Sequence, residues 1–135
     1  MTRAERLKAA IEALTDIPIE WGVSDCSTWP AQWVADVTGR EFDWPAYSSQ
    51  DEAEAMIAAA GGLLPLWEAV ARTAGIRRRY ELLPTLGDIG IIRTHGHGDV
   101  GGVFADGGVL CWRAAWGVHL IAPRQNAVVA IWEVP

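Results

Sequence analysis

A cysteine placed between a glycine turn and a run of helix-forming residues is the part of this sequence best equipped for covalent chemistry. The segment from Trp21 to Trp29 passes from an aromatic-glycine turn through Ser24 and Asp25, both good helix caps, to Cys26, Ser27 and Thr28. At a helix start, unpaired N–H groups and the positive end of the dipole favour a thiolate, the form that attacks a carbonyl carbon. Buried elsewhere, the same side chain is an inert small hydrophobe. Pro30 bears on the choice, because a helix starting directly after Asp25 would lose a backbone hydrogen bond and clash at that residue. A start nearer Thr28 avoids this, but it leaves Cys26 just outside the helix, where the dipole's help fades.

A cysteine nucleophile also needs a base, and the chain offers His95, His97 and His119. His95, His97 and Asp99 alternate, and alternate side chains of an extended segment share a face, so a modest shift of register aims His97, or His95, at Cys26. The intervening Gly96 and Gly98 describe a polar hairpin loop equally well. Three metal-capable side chains within five residues leave strained geometry, and no second cluster completes a shell. We therefore expect no metal and no cofactor. His119 falls in a strand, where an imidazole commonly does no more than hydrogen-bond within the structure.

The elements that would position these groups can be read in order. Thr2 and Glu5 have capping-box spacing, and Leu7, Ala10, Ile11 and Leu14 share one face of a helix over 2–14. Ser49 and Glu52 repeat the capping signal before a helix that Gly61 and Gly62 end, and another runs from about Leu64 to Ala74. Arg77, Arg78 and Arg79 read as a solvated turn leading into a strand. From there the pattern becomes short apolar runs over 89–93, 100–105, 109–113, 118–122 and 127–134, with Asp106, Gly107 and Gly108 suited to a hairpin turn. Helices followed by strands predict an α+β domain spanning 1–135, with 1–75 mainly helical and 80–135 an antiparallel sheet of about five strands.

Composition narrows the function classes. A net charge of −6 over 135 residues argues against a general nucleic-acid binder, which needs a positive surface to displace counterions from phosphate. No apolar run approaches the roughly 18 residues of a membrane span, and the N-terminal segment lacks a secretory pattern, so synthesis in a bacterial cytoplasm is expected. Cys26 and Cys111 are expected to be free thiols. The eight tryptophans serve packing first, with Trp44 and Trp116 as candidates for an exposed binding surface.

Asp25, Cys26 and Ser27 resemble the DCS motif of the NlpC-type cell-wall cysteine peptidases, a papain-like family. Gly87 and Asp88 are similar to that family's Gly-Asp step into its first core strand, and Val100 to Val103 to its next strand. WGVSDC, Thr38-Gly39 and the terminal AIWEV look closer still to small phage tail-region relatives of those peptidases. The resemblance implies a papain-like fold and one of two roles. In the first, Cys26 cleaves a peptidoglycan stem peptide, His97 is the base, and His119 orients it, although Cys111 lies nearer the family's position for that group. Trp21, Asp25, Ser27 and Asp99 then lie on the substrate side. In the second, the domain is catalytically degenerate and binds other tail proteins as a tail-tip or assembly component. The departure that separates the roles is Asp99, standing where the active family opens a strand with histidine.

Overall fold

The computed structural model describes residues 1–135. Four helices come first, α1 (Arg3–Glu12), α2 (Thr28–Thr38), α3 (Gln50–Ala60) and α4 (Leu63–Thr73). Both expected N-caps form, with the Thr2 and Ser49 hydroxyls accepting from the backbone N–H of Glu5 and Glu52, each at 3.1 Å. Gly39 and Gly61 close α2 and α3 in left-handed conformations, φ 75° and 91°, which a residue without Cβ adopts at no steric cost.

Six strands follow, β1 (Arg77–Arg79), β2 (Ile89–Thr94), β3 (Gly98–Phe104), β4 (Leu110–Arg113), β5 (Val118–Ile121) and β6 (Val128–Glu133). They form one sheet in the order β1-β6-β2-β3-β4-β5, every pair antiparallel. The fold is α+β, and the sheet has six strands where the sequence suggested about five. The additional strand is the arginine run, which pairs Arg77, Arg78 and Arg79 with Glu133, Trp132 and Ile131 at the sheet edge. An edge strand tolerates charge because one side of it faces water. Here the guanidiniums also find carboxylates, Arg78 at Glu68 and Arg79 at Asp88 and Glu133.

The two faces of the sheet bury different residues, as a side-chain period of two requires. Ile89, Ile91, Val103, Cys111, Ala130 and Trp132 face the helices and join Leu7, Trp29, Trp33, Val34 and Trp67 in the main core. Ile92, Val100, Phe104, Leu110 and Ile131 form a smaller core on the far face, flanked by Leu82, Trp112 and Val128. Trp67 is central to the first core. Its ring lies 5.5 Å from that of Trp132 and 6.3 Å from that of Trp44, so Trp44 packs inward, whereas Trp116 is 64% exposed.

Gly101 makes this packing possible. A Cβ there would overlap the Trp67 ring and stand 2.6 Å from the Cys26 carbonyl oxygen. Gly101→Ala should therefore cost about 1–3 kcal/mol by forcing backbone or ring to move. Gly96, whose added Cβ would meet nothing within 4 Å, should take alanine with a change below about 0.5 kcal/mol. Urea unfolding of the two variants beside the parent checks the contrast.

Candidate functional site

The loop before α2 is organised around the carboxylate of Asp25, which is only 1% exposed. Its Oδ1 accepts from the backbone N–H of Ser27 and Thr28, and its Oδ2 from that of Gly22, each at 2.9 Å. The Tyr47 hydroxyl donates to Oδ2 at 2.5 Å. Thr28 completes a reciprocal exchange, its hydroxyl accepting from the Asp25 N–H at 2.9 Å. Asp25 thus satisfies three backbone donors around the start of α2 and in the preceding turn, and the helix proper begins at Thr28. Pro30 is then the third residue of α2, inside the first turn, where its missing N–H would have had no intrahelical partner.

Arg113 supports this loop from beneath. It is 1% exposed, and its guanidinium donates to the Ser24 hydroxyl at 2.9 Å and to the carbonyls of Ile17, Pro18 and Gly117 at 3.0, 2.9 and 2.7 Å. Burial lowers the Arg113 pKa from its ordinary value, and the Asp25 carboxylate opposes that shift. Tyr47 is held in its protonated form well beyond the usual range, first by burial and then by its hydrogen bond to Asp25.

Cys26 sits on this scaffold, just outside α2 and partly exposed. Burial of the sulfur pushes its pKa up, and the Asp25 charge pushes it further in the same direction. Backbone hydrogen bonds at Gly101 and at Cys26 itself, and one from Ser27, act the other way without offsetting those effects. The thiol, not the thiolate, is the stable form at neutral pH.

The histidines lie elsewhere. Cys111 and the Gly101 position face the helices, so Trp112, next to Cys111 on β4, faces away from them with Leu110 and Val100. His97 packs on Trp112 with ring centroids 5.3 Å apart, and His119, directly opposite Trp112 in the sheet, packs on it at 5.6 Å. Both side chains therefore occupy the face of the sheet opposite Cys26. His95 is exposed in the hairpin turn, which is closed by the Thr94 hydroxyl donating to the Gly98 carbonyl and accepting from the His97 N–H. The expected Cys26–His97–His119 grouping does not form, because the strand register sends both imidazoles to the wrong side. Asp99 shares the helix-bearing face with Gly101, and its carboxylate takes a 3.1 Å bond from Arg93, directly opposite on β2.

The remaining expected site residues are committed to structure. Ser27 is buried and its hydroxyl accepts from the Trp67 indole N–H at 3.0 Å, while Trp21 is half-buried beside the Gly22 turn. Gly87 and Asp88 form a second buried cinch. The Gly87 carbonyl accepts from the Trp33 indole at 2.8 Å, and Asp88 accepts from Arg79, Thr85 N–H and Val134 N–H. Sequence reasoning missed Trp67, Tyr47 and Arg113. Only Arg113 left a trace, as the one charge in the apolar stretch from Val109 to Pro123.

A family model described as a domain of unknown function (DUF6950) matches residues 1–134. The chain belongs to the DUF6950 family. No curated protein matches it significantly. In this DUF6950 member no group of three or more His, Cys, Asp or Glu side chains is arranged to hold a metal ion. No single helix is long and apolar enough to cross a membrane.

Two outcomes follow from these contacts. Asp25→Asn leaves one acceptor oxygen for four donors and removes the charge facing Arg113, so unfolding free energy should fall by about 2–4 kcal/mol, with Tyr47→Phe costing about 1 kcal/mol. Chemical denaturation at pH 7 reads both. Burial raises the Cys111 pKa from 9.0 to about 11. Between these values the unfolded chain gives up that proton and the folded chain keeps it, so stability falls as pH rises through the window. The loss should reach about 2–3 kcal/mol by pH 11, and Cys111→Ala should show a correspondingly shallower decline in urea titrations at pH 8 and pH 10.5.

Proposed function

We propose that this chain is a catalytically silent, NlpC-like domain of papain-like type that serves as a structural or assembly component of a phage or prophage tail, binding other tail proteins. The observation that carries the non-catalytic part is the surroundings of Cys26. A cysteine peptidase needs an imidazole to take the thiol proton and return it to the leaving amine. Here the sulfur has a buried carboxylate for a neighbour, which favours the protonated thiol. Both candidate bases stack on Trp112 across the sheet, and the β3 position beside Cys26 is Gly101, with the Trp67 ring filling the space a side chain would need.

The tail part rests on the sequence resemblance carried by WGVSDC, Thr38-Gly39, Gly87-Asp88 and AIWEV, and on the order of helices, cysteine, Gly-Asp strand and second strand. Synthesis in the bacterial cytoplasm followed by incorporation into a particle fits that reading. Exposed Trp116, Leu83 and Tyr80 supply apolar contacts of the kind protein interfaces use.

Digestion of purified peptidoglycan, followed by chromatography of released peptides, tests the first part. The parent and Cys26→Ala should both release nothing above buffer, and Cys26 should react with iodoacetamide at pH 7.5 more slowly than a free cysteine. Peptide release that Cys26→Ala abolishes would overturn the non-catalytic reading. Mass spectrometry of particles purified from a producing strain tests the second part, where the chain is expected to co-purify with tail proteins and its absence counts against the assignment.

A further inference from the structure

Four of the chain's eleven basic residues fall between positions 72 and 79, and the fold gathers them where α4 meets the β1 edge of the sheet. A hollow of about 330 Å³ lies there, with Glu68 and Arg72 on the helix side and Arg77 and Arg78 on the strand side. Ile76 and Trp132 are its buried floor, and Tyr80, 76% exposed, stands at its rim. The Arg78 guanidinium lies 4.9 Å from the centre of the Tyr80 ring and 5.9 Å from that of Trp132, contacts that a planar cation favours. A second hollow of about 290 Å³ shares Arg77, Arg78 and Tyr80 and runs on to Arg79, Glu81 and Glu133. Donors exceed acceptors along this groove. Glu68 is taken by Arg78, whose Nε is still buried without a partner. Arg77 reaches Glu133 only at 3.8 Å, with its side chain 86% exposed, and Arg72 enters none of the chain's ion pairs. Guarding a sheet edge accounts for charge on β1, but not for Arg72, which lies on a helix and faces the same groove.

We infer that this groove binds an acidic peptide segment of a partner protein, its carboxylates on Arg72 and Arg77 and an aromatic side chain against Tyr80. Charge complementarity selects this occupant. Three arginines face one glutamate in the first hollow, and the guanidinium fork binds carboxylate oxygens two at a time. Glu81 and Glu133 line the second hollow, so a continuous polyanion such as a nucleic-acid backbone meets repulsion there, whereas a peptide whose carboxylates are spaced apart does not. A small anion fits less well, because small-molecule sites bury most of their ligand and these two hollows are open to solvent and share one wall. An extended segment crosses both. Arginine and tyrosine are also the side chains that interfaces favour. The inference does not depend on the tail assignment, since it is tested on the isolated chain and that assignment on particles.

Isothermal titration calorimetry of the full chain with a glycine-serine peptide of about ten residues, carrying a tyrosine between two glutamates, tests this. The chain's net charge of −6 repels such a peptide overall, so binding reports a local site. At about 20 mM salt the dissociation constant should be about 100 μM, weakening at least about fivefold by about 300 mM salt. Replacing both glutamates of the peptide by glutamine should weaken binding at least about tenfold. Arg72→Gln combined with Arg77→Gln should do the same, with circular dichroism and melting temperature unchanged because both side chains are exposed. Arg124→Gln, an equal loss of charge at an exposed position in the connection before β6, should bind like the parent. Absence of binding at millimolar peptide, equal binding of the glutamine peptide, or equal binding by the double variant overturns the inference. So does an oligothymidylate that binds the same arginines more tightly than the peptide.

Discussion

The buried carboxylate of Asp25 is the contact on which the arrangement around Cys26 depends. A chain that turns sharply at Gly22 and then begins a helix leaves several N–H groups pointing inward with no carbonyl in reach, and each would cost about 1–3 kcal/mol unpaired. One side chain collects three of them and a phenol. Burying that negative charge is itself costly, and Arg113 answers it from the sheet while binding the carbonyls of the same loop. The N-terminal loop and the fourth strand are thereby joined through a polar network in which donors and acceptors are matched.

The same network decides what the neighbouring cysteine can do. Placing a thiol beside a fixed carboxylate and covering its sulfur both favour the neutral form. A helix dipole would push the other way, but α2 starts two residues later and its influence has declined at Cys26. The residue that reads in sequence as an activated nucleophile is, in three dimensions, a covered thiol in a loop held by its neighbour.

Local signals were legible in the sequence, and long-range ones were not. The Thr2 and Ser49 caps, the glycine stops and the strand runs beginning near Ile89, Val100 and Val118 depend on residues within four or five positions of each other. They appear where expected, with ends shifted by a residue or two. β1 was missed because three successive arginines carry no apolar alternation, and their pairing depends on β6, about fifty residues away. The destination of His97 and His119 turns on strand parity. Which face Trp112 takes is fixed by the β3–β4 register and the main core, and a shift of one residue would have sent both imidazoles to the other side. Trp67 gave no sign of its place beside Gly101, since an apolar helix position reads alike whatever it touches.

Gly101 also bears on how this surface can change by descent. At residue 101 of β3 any Cβ meets the Trp67 indole and the Cys26 carbonyl. A histidine codon there would be counter-selected until residue 67 had become smaller. A smaller residue 67, arising first, would forfeit the ring contact with Trp132 and the bond to Ser27. Each single step passes through a less stable chain, so residues 67 and 101 are tied to one another by steric interlock.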